Sequence, residues 1–254
     1  MKIADLGKTG LRVSRLCFGT GTRGYAGQSR QTKLGLEELV RLLRLAYELG
    51  VTFWDAADGY GSHPHVREAL RGLARETVVV ATKTSTRGAP DAERAVERFL
   101  RELGTSYVDV VLLHCMTHRG WPASYDGAMG ALARLKERGL VRAVGVSCHD
   151  LGALEAAASH PWVDVVLARI NAAGVHTDAA PAKVVPVLER IHAAGKGLYG
   201  MKALGEGRLA GDVRSALAYA LGLLCLDSIA VGIESERELR EDVRLVEELD
   251  RVQG

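Results

Sequence analysis

Phe53-Trp54-Asp55-Ala56-Ala57-Asp58-Gly59-Tyr60-Gly61 begins as a short apolar run, closes on a carboxylate and passes into a glycine-bearing loop that holds a tyrosine. Two later stretches repeat the arrangement. Val78-Val79-Val80-Ala81-Thr82-Lys83 ends on a lysine, and Val110-Val111-Leu112-Leu113-His114 ends on a histidine. Runs this short and rich in β-branched residues read as buried strands of a parallel sheet. Working outward, strand-like runs fall at 15–18, 51–54, 78–81, 108–113, 141–146, 163–168, 197–201 and 228–231. Each leads into an amphipathic stretch, giving expected helices at 37–49, 64–74, 90–103, 124–138, 150–158, 182–194, 212–221 and 235–249. Gly50, Gly104, Gly139 and Gly195 stand where helices stop, and Asp150, Asp212 and Ser235 where they start.

Repeated strand–helix units define an α/β protein with a parallel sheet. The choice between an open sheet and a closed barrel turns on Gly19-Thr20-Gly21-Thr22-Arg23-Gly24. This is not a G-x-G-x-x-G running straight into a helix, because about a dozen residues intervene, so a (β/α)8 TIM barrel is expected. Residues 3–6 and 11–13, joined by Gly7-Lys8-Thr9-Gly10, read as a short N-terminal β-hairpin suited to capping the barrel bottom. No linker or composition break divides the chain, so residues 1–254 are expected to form one domain. In such a barrel all strand ends face one way, so Asp55, Tyr60, Lys83 and His114 can meet in one pocket. Together they make a proton-transfer set.

Composition narrows the function classes. The 254 residues are 47% hydrophobic and 25% charged, carry a formal net charge of +2 and are only 5% aromatic. With no basic block and few aromatics, the chain shows neither a nucleic-acid groove nor a stacking platform, and no nucleic-acid partner is expected. No window reaches the ~18 apolar residues of a membrane span, and the N-terminus lacks a signal-peptide apolar region, so no membrane association and a cytoplasmic location are expected. Cys17, Cys115, Cys148 and Cys225 are dispersed, which fits neither a disulfide framework nor a structural zinc site, and no metal is expected. Oligomeric state is not legible at this level.

The chain resembles the aldo-keto reductase family over nearly all its length. The resemblance rests on Leu6-Gly7-Lys8-Thr9-Gly10-Leu11-Arg12-Val13-Ser14, Cys17-Phe18-Gly19-Thr20-Gly21, Phe53-Trp54-Asp55 with Tyr60-Gly61, and Ala81-Thr82-Lys83. It continues in Asp109-Val110-Val111-Leu112-Leu113-His114, Gly145-Val146-Ser147 and Met201-Lys202-Ala203-Leu204-Gly205-Glu206-Gly207, all in the family's order. It implies a catalytic tetrad of Asp55, Tyr60, Lys83 and His114, acting with NADPH, or NADH, on a small-molecule carbonyl substrate. The chemistry is coherent. Hydride addition to a carbonyl builds charge on oxygen, which needs a proton donor within reach. Tyr60 is the expected donor, Lys83 the cation expected to lower its pKa, Asp55 the partner of Lys83, and His114 the group that orients the carbonyl.

The resemblance further implies a nicotinamide nucleotide lying across the strand ends with no Rossmann domain. Gly19, Thr20, Ser147, Cys148 and Met201 are expected toward its inner end. Lys202, Leu204, Gly205, Gly207 and Arg208 are expected at the pyrophosphate, and Ser235, Arg237 and Asp242 at the adenosine. Three positions depart from the family pattern: Cys148 replaces an Asn, Leu167 a Gln and Met201 a Tyr. Glu238 stands where NADPH-preferring members carry a cation and would repel a 2′-phosphate, while Arg237 and Arg240 lie close enough to compensate. Tyr25, Trp121 and Tyr125 are expected substrate walls, Asp58 a loop or capping carboxylate, and His63, His65, His118 and His149 loop histidines near the same face. Two other readings stay open: a nucleotide-sensing or partner-binding module with little turnover, and a different barrel enzyme using Lys83 as a Schiff base.

Overall fold

The computed structural model of the chain describes residues 1–253, and Gly254 lies outside them. An antiparallel hairpin of β1 (Ile3–Asp5) and β2 (Arg12–Ser14) precedes eight strands. These are β3 (Leu16–Gly19), β4 (Phe53–Asp55), β5 (Val79–Thr84), β6 (Val108–Met116), β7 (Val141–Cys148), β8 (Val165–Arg169), β9 (Gly197–Met201) and β10 (Ser228–Gly232). All neighbours are parallel, and β10 pairs with both β9 and β3, closing the barrel. The expected fold class is therefore the observed one.

The helices α1 (Leu36–Glu48), α2 (His63–Leu70), α3 (Ala89–Leu103), α5 (Asp126–Glu137), α6 (Leu151–Ser159), α7 (Pro181–Ala193), α8 (Val213–Gly222) and α9 (Glu236–Gln253) follow the strands in turn. A short α4 (Trp121–Ser124) was not expected. In α3, Ala92, Ala95, Val96, Phe99 and Leu103 share one buried face, the spacing of an amphipathic helix. Gly104 ends it at φ 64°, where a Cβ would be strained. Helix α2 stops at Leu70, four residues before the expected end: Arg71 leaves the helical path at ψ 124°, and Gly72 follows at φ 82°, which glycine adopts freely. The side chains of Asp150 and Asp212 cap α6 and α8 by accepting from Ala153 N and Ser215 N.

The hairpin plugs the barrel bottom. Leu6, Leu11 and Val13 pack into the interior against Cys17, Phe53, Val79 and Tyr199. Gly7, at φ 52°, comes so close to the barrel that a Cβ would lie 2.2 Å from Gly197 N. Lys8 N donates to Gly195 O at 2.8 Å, and Gly7 N to Asp227 Oδ2 at 3.2 Å. With the bottom sealed by apolar side chains and the flanks covered by helices, the upper rim is where polar strand-end residues gather.

Candidate active site

Asp55 is the last residue of β4, and in the sheet register it lies beside Gly19 of β3 and Ala81 of β5. Lys83 lies within β5 and His114 within β6, so the strands continue past the ends read from the apolar runs. Lys83 is almost wholly buried. Its ammonium donates to Asp55 Oδ1 at 2.5 Å and to Ala56 O at 2.8 Å. The second oxygen of Asp55 accepts from the Tyr199 hydroxyl at 2.8 Å. Buried ion pairs persist where further hydrogen bonds satisfy them, and here both partners have such bonds.

Tyr60 sits on a single 3₁₀ turn, Asp58–Tyr60, directly after β4. Its ring lies 5.0 Å from Lys83 Nζ, and its hydroxyl lies 3.4 Å from His114 Nε2. Gly21 and Gly24 make room for that ring: a Cβ on either would lie 2.1 or 2.2 Å from it. The glycines of the first loop thus serve the tyrosine. Below the turn, Arg98 of α3 grips both oxygens of Asp58 at 2.7 and 2.8 Å.

The electrostatics differ in one respect from expectation. Burial raises the Tyr60 pKa above its ordinary value and outweighs the lowering by Lys83, so the phenol is more firmly protonated than a free one. Burial opposes the Lys83 charge, but Asp55 and the two nearby groups Tyr60 and Cys17 outweigh it and raise its pKa. His114 is pushed down to about 3 by burial and by Lys83, so its ring is neutral at physiological pH.

A cleft of about 380 Å³ runs from Asp55 and Tyr60, past Leu167 and Met201, under the loop after β9, to the start of α9. Among the residues expected to hold a nucleotide, Gly19, Met201, Lys202, Leu204, Gly207, Arg237 and Asp242 line it. The others do not. Thr20 is buried and bonded to Asp55 O and Ser62 Oγ. Ser147 Oγ accepts from Cys115 N at 2.8 Å beneath the rim, and Cys148 is fully buried. Gly205 is buried against Leu209 and Val175, Arg208 is exposed outside the lining, and Ser235 caps α9 by accepting from Glu238 N. Lys202 is ion-paired with Glu206, which leaves it less free for a phosphate than expected.

Two expected substrate walls are corrected. Trp121 is fully buried, donates to Ala153 O and tilts against His160, while Tyr125 is buried beside Arg87. Both lie in the hydrophobic layer outside the barrel. Tyr25 is 83% exposed at a loop tip. His63 is a core residue bonded to Glu102 and Thr82, His118 is exposed, and His149 is half-buried with its pKa lowered to about 4 by burial and by Arg169. Tyr199, bonded to Asp55, was not anticipated at this site, whereas Glu234 and Glu241 line the adenosine end within the segment expected there. Among the described residues no group of three His, Cys, Asp or Glu side chains could hold a metal ion.

The cleft fits a long ligand with a flat apolar end and a polar far end. Leu167 and Met201 flank its inner part, and at the outer end Asp242 is only 4% exposed, with no hydrogen-bond partner among the described residues. A nicotinamide dinucleotide has that form.

Comparison with known proteins agrees with the geometry. The probable aldo-keto reductase 1 of Glycine max is 31% identical over 157 residues, 56% of this chain and 43% of the relative. The chain thus spans less than half the length of that relative. The L-galactose dehydrogenase of Arabidopsis thaliana is 24% identical over 98% of this chain and 89% of its own. The holo form of aldo-keto reductase AKR11C1 from Bacillus halodurans shares the fold, with a TM-score of 0.81 over 97% of this chain and 91% of its own at 21% identity. A model of the aldo/keto reductase family matches residues 15–222, from the first barrel strand to the end of α8, and on that match the chain belongs to the aldo/keto reductase family.

Proposed function

We propose that the protein is an NAD(P)H-dependent oxidoreductase that reduces an aldehyde or ketone to an alcohol, with Tyr60 as proton donor. The observation that carries this reading is the arrangement of a buried, charged Lys83 beneath the Tyr60 ring and a neutral His114 beside its hydroxyl, at the inner end of a long cleft. When bound, a reduced nicotinamide nucleotide supplies the hydride that adds to the carbonyl carbon. Leu167, Met201, the loop from Lys202 to Gly207 and the start of α9 would hold it. His114 orients the carbonyl oxygen through Nε2. As the carbonyl π electrons move onto that oxygen, it takes the proton of Tyr60 Oη. Lys83 stabilises the phenolate left behind, and Asp55 and Tyr199 keep Lys83 in place. Because burial holds Tyr60 protonated well above neutrality, the acid form is available across the physiological range.

Tyr60→Phe tests the assignment. Turnover with carbonyl substrates should fall at least about 100-fold, while nucleotide binding, followed by protein fluorescence, stays within about twofold. Unchanged turnover would remove Tyr60 from the mechanism. A nucleotide-sensing module with little turnover is the second reading, favoured by Cys148 packing in the layer outside the barrel and by Ser147, held by Cys115 N, lying outside the cleft lining. It predicts binding without reduction over a wide carbonyl panel. No described helix is long and apolar enough to cross a membrane, and a cytoplasmic location, supported by four unpaired cysteines among the described residues, is part of the proposal.

A further inference from the structure

The far end of the cleft is acidic. An extended dinucleotide whose reacting ring lies at Tyr60 must place its adenosine where the cleft ends, at the start of α9. That helix N-terminus would be a natural anion site, since its first amides lack intrahelical partners. Here the chain's own side chains already take part of it. Glu238 Oε2 accepts from Glu234 N at 2.8 Å while Ser235 Oγ accepts from Glu238 N at 3.3 Å, a variant of the capping box in which the chain's own carboxylate reaches the amide one residue before the cap. Glu241 and Asp242 add two more acidic groups to the same wall, and Asp242 faces the cleft buried and without a partner among the described residues. Of the cations lining this end, Arg30 is spent on Glu234 at 3.3 Å, which leaves Arg237, an exposed residue, against several carboxylates.

We infer that this end of the cleft selects a nicotinamide nucleotide without a 2′-phosphate, that is NADH over NADPH, with Glu238 as the residue that discriminates. The inference rests on the oxidoreductase reading and reverses the cofactor that the family resemblance led one to expect. The chemistry is that of a carboxylate meeting a ribose. A 2′-hydroxyl can donate to it, whereas a 2′-phosphate brings about two negative charges to a helix end that a glutamate already partly occupies. Arg237 faces that cost alone, and Arg240 is bonded to Glu236 at 2.8 Å instead of the cleft.

The test is a direct titration of the full chain with NADH and with NADPH at pH 8 and low salt, read by protein fluorescence and by calorimetry. The expected result is at least about tenfold tighter binding of NADH. Glu238→Gln keeps an acceptor for the Glu234 amide and should narrow the ratio through tighter NADPH binding, with NADH changed less. Glu241→Gln, at an exposed position outside the capping box, should narrow it in the same direction and guards against a fold defect in the first variant. Raising the salt concentration should also narrow the ratio, since exposed charges are screened. Equal binding, or tighter NADPH, by the wild-type chain would overturn the inference while leaving the oxidoreductase reading intact. Binding of neither nucleotide would overturn both.

Discussion

Gly21 has no side chain because Tyr60 occupies the space where one would go. A Cβ there would lie 2.1 Å from the ring, far inside van der Waals contact, and backbone carries it, so the tyrosine would have to move. Since displacements of about 1 Å at a reacting group cost up to about 100-fold in rate, Gly21→Ala should lower kcat by roughly 10- to 100-fold with little change in nucleotide affinity. Gly59→Ala, where a Cβ meets nothing within 4 Å, is the matched control and should leave kcat unchanged. Equal kcat in both variants would mean that the ring position does not matter to turnover. Asp55, Lys83 and His114 were legible in the sequence because each is a polar residue terminating an apolar run. Tyr199 was not, because it lies inside the run of β9, where an aromatic residue reads as packing. Its ring does pack, 5.0 Å from that of Phe53, and only the structure shows its hydroxyl directed at Asp55.

At the scale of elements, the eight strands and the helices after them were legible because burial on both faces forces continuous apolar runs in the strands and a 3.6-residue period in the helices. Their ends were less so. β6 runs on to Met116 through an irregularity between Leu113 and Met116, with Cys115 at φ 66°, and no side-chain pattern marks such a bulge. The coupling of α3 to the loop of Tyr60 was equally hidden: Asp58 looked like a loop carboxylate, yet Arg98 holds both its oxygens and also contacts Glu102 at 3.1 Å. Partly exposed ion pairs of this kind contribute about 1 kcal/mol or less to stability. Arg98→Met should therefore leave Tm within a few degrees but lower kcat about tenfold, because the turn that carries Tyr60 loses its anchor on α3. A drop in Tm with kcat retained would show the pair to be structural only. Measuring Tm and kcat on the same preparation separates the two.

At the scale of the whole molecule, the acidic end of the cleft has a thermodynamic consequence. Burial, reinforced by Glu238 and Glu241, raises the Asp242 pKa to about 7, and burial raises that of Asp227 at the barrel bottom to about 6. An unfolded aspartate titrates near about 3.9, so between roughly pH 4 and 7 the native state holds protons that the unfolded state has released. Unfolding then loses protons, and stability falls as the pH rises through that window and levels off above it. For Asp242 the accumulated penalty at pH 8 is about 4 kcal/mol, since each pH unit separating the folded and unfolded pKa values costs about 1.4 kcal/mol. Asp242→Asn removes the ionisable group while keeping its size, so it should stabilise the nucleotide-free protein by up to that amount at pH 8 and by little at pH 4.5. For a chain of this length that is a rise in Tm of roughly 5–10 °C at the higher pH. Thermal melts of both proteins at four or five pH values measure it directly. A Tm difference that is flat with pH would mean that Asp242 is not held protonated by its surroundings, and that the acidic wall is solvated too well to repel a phosphate strongly.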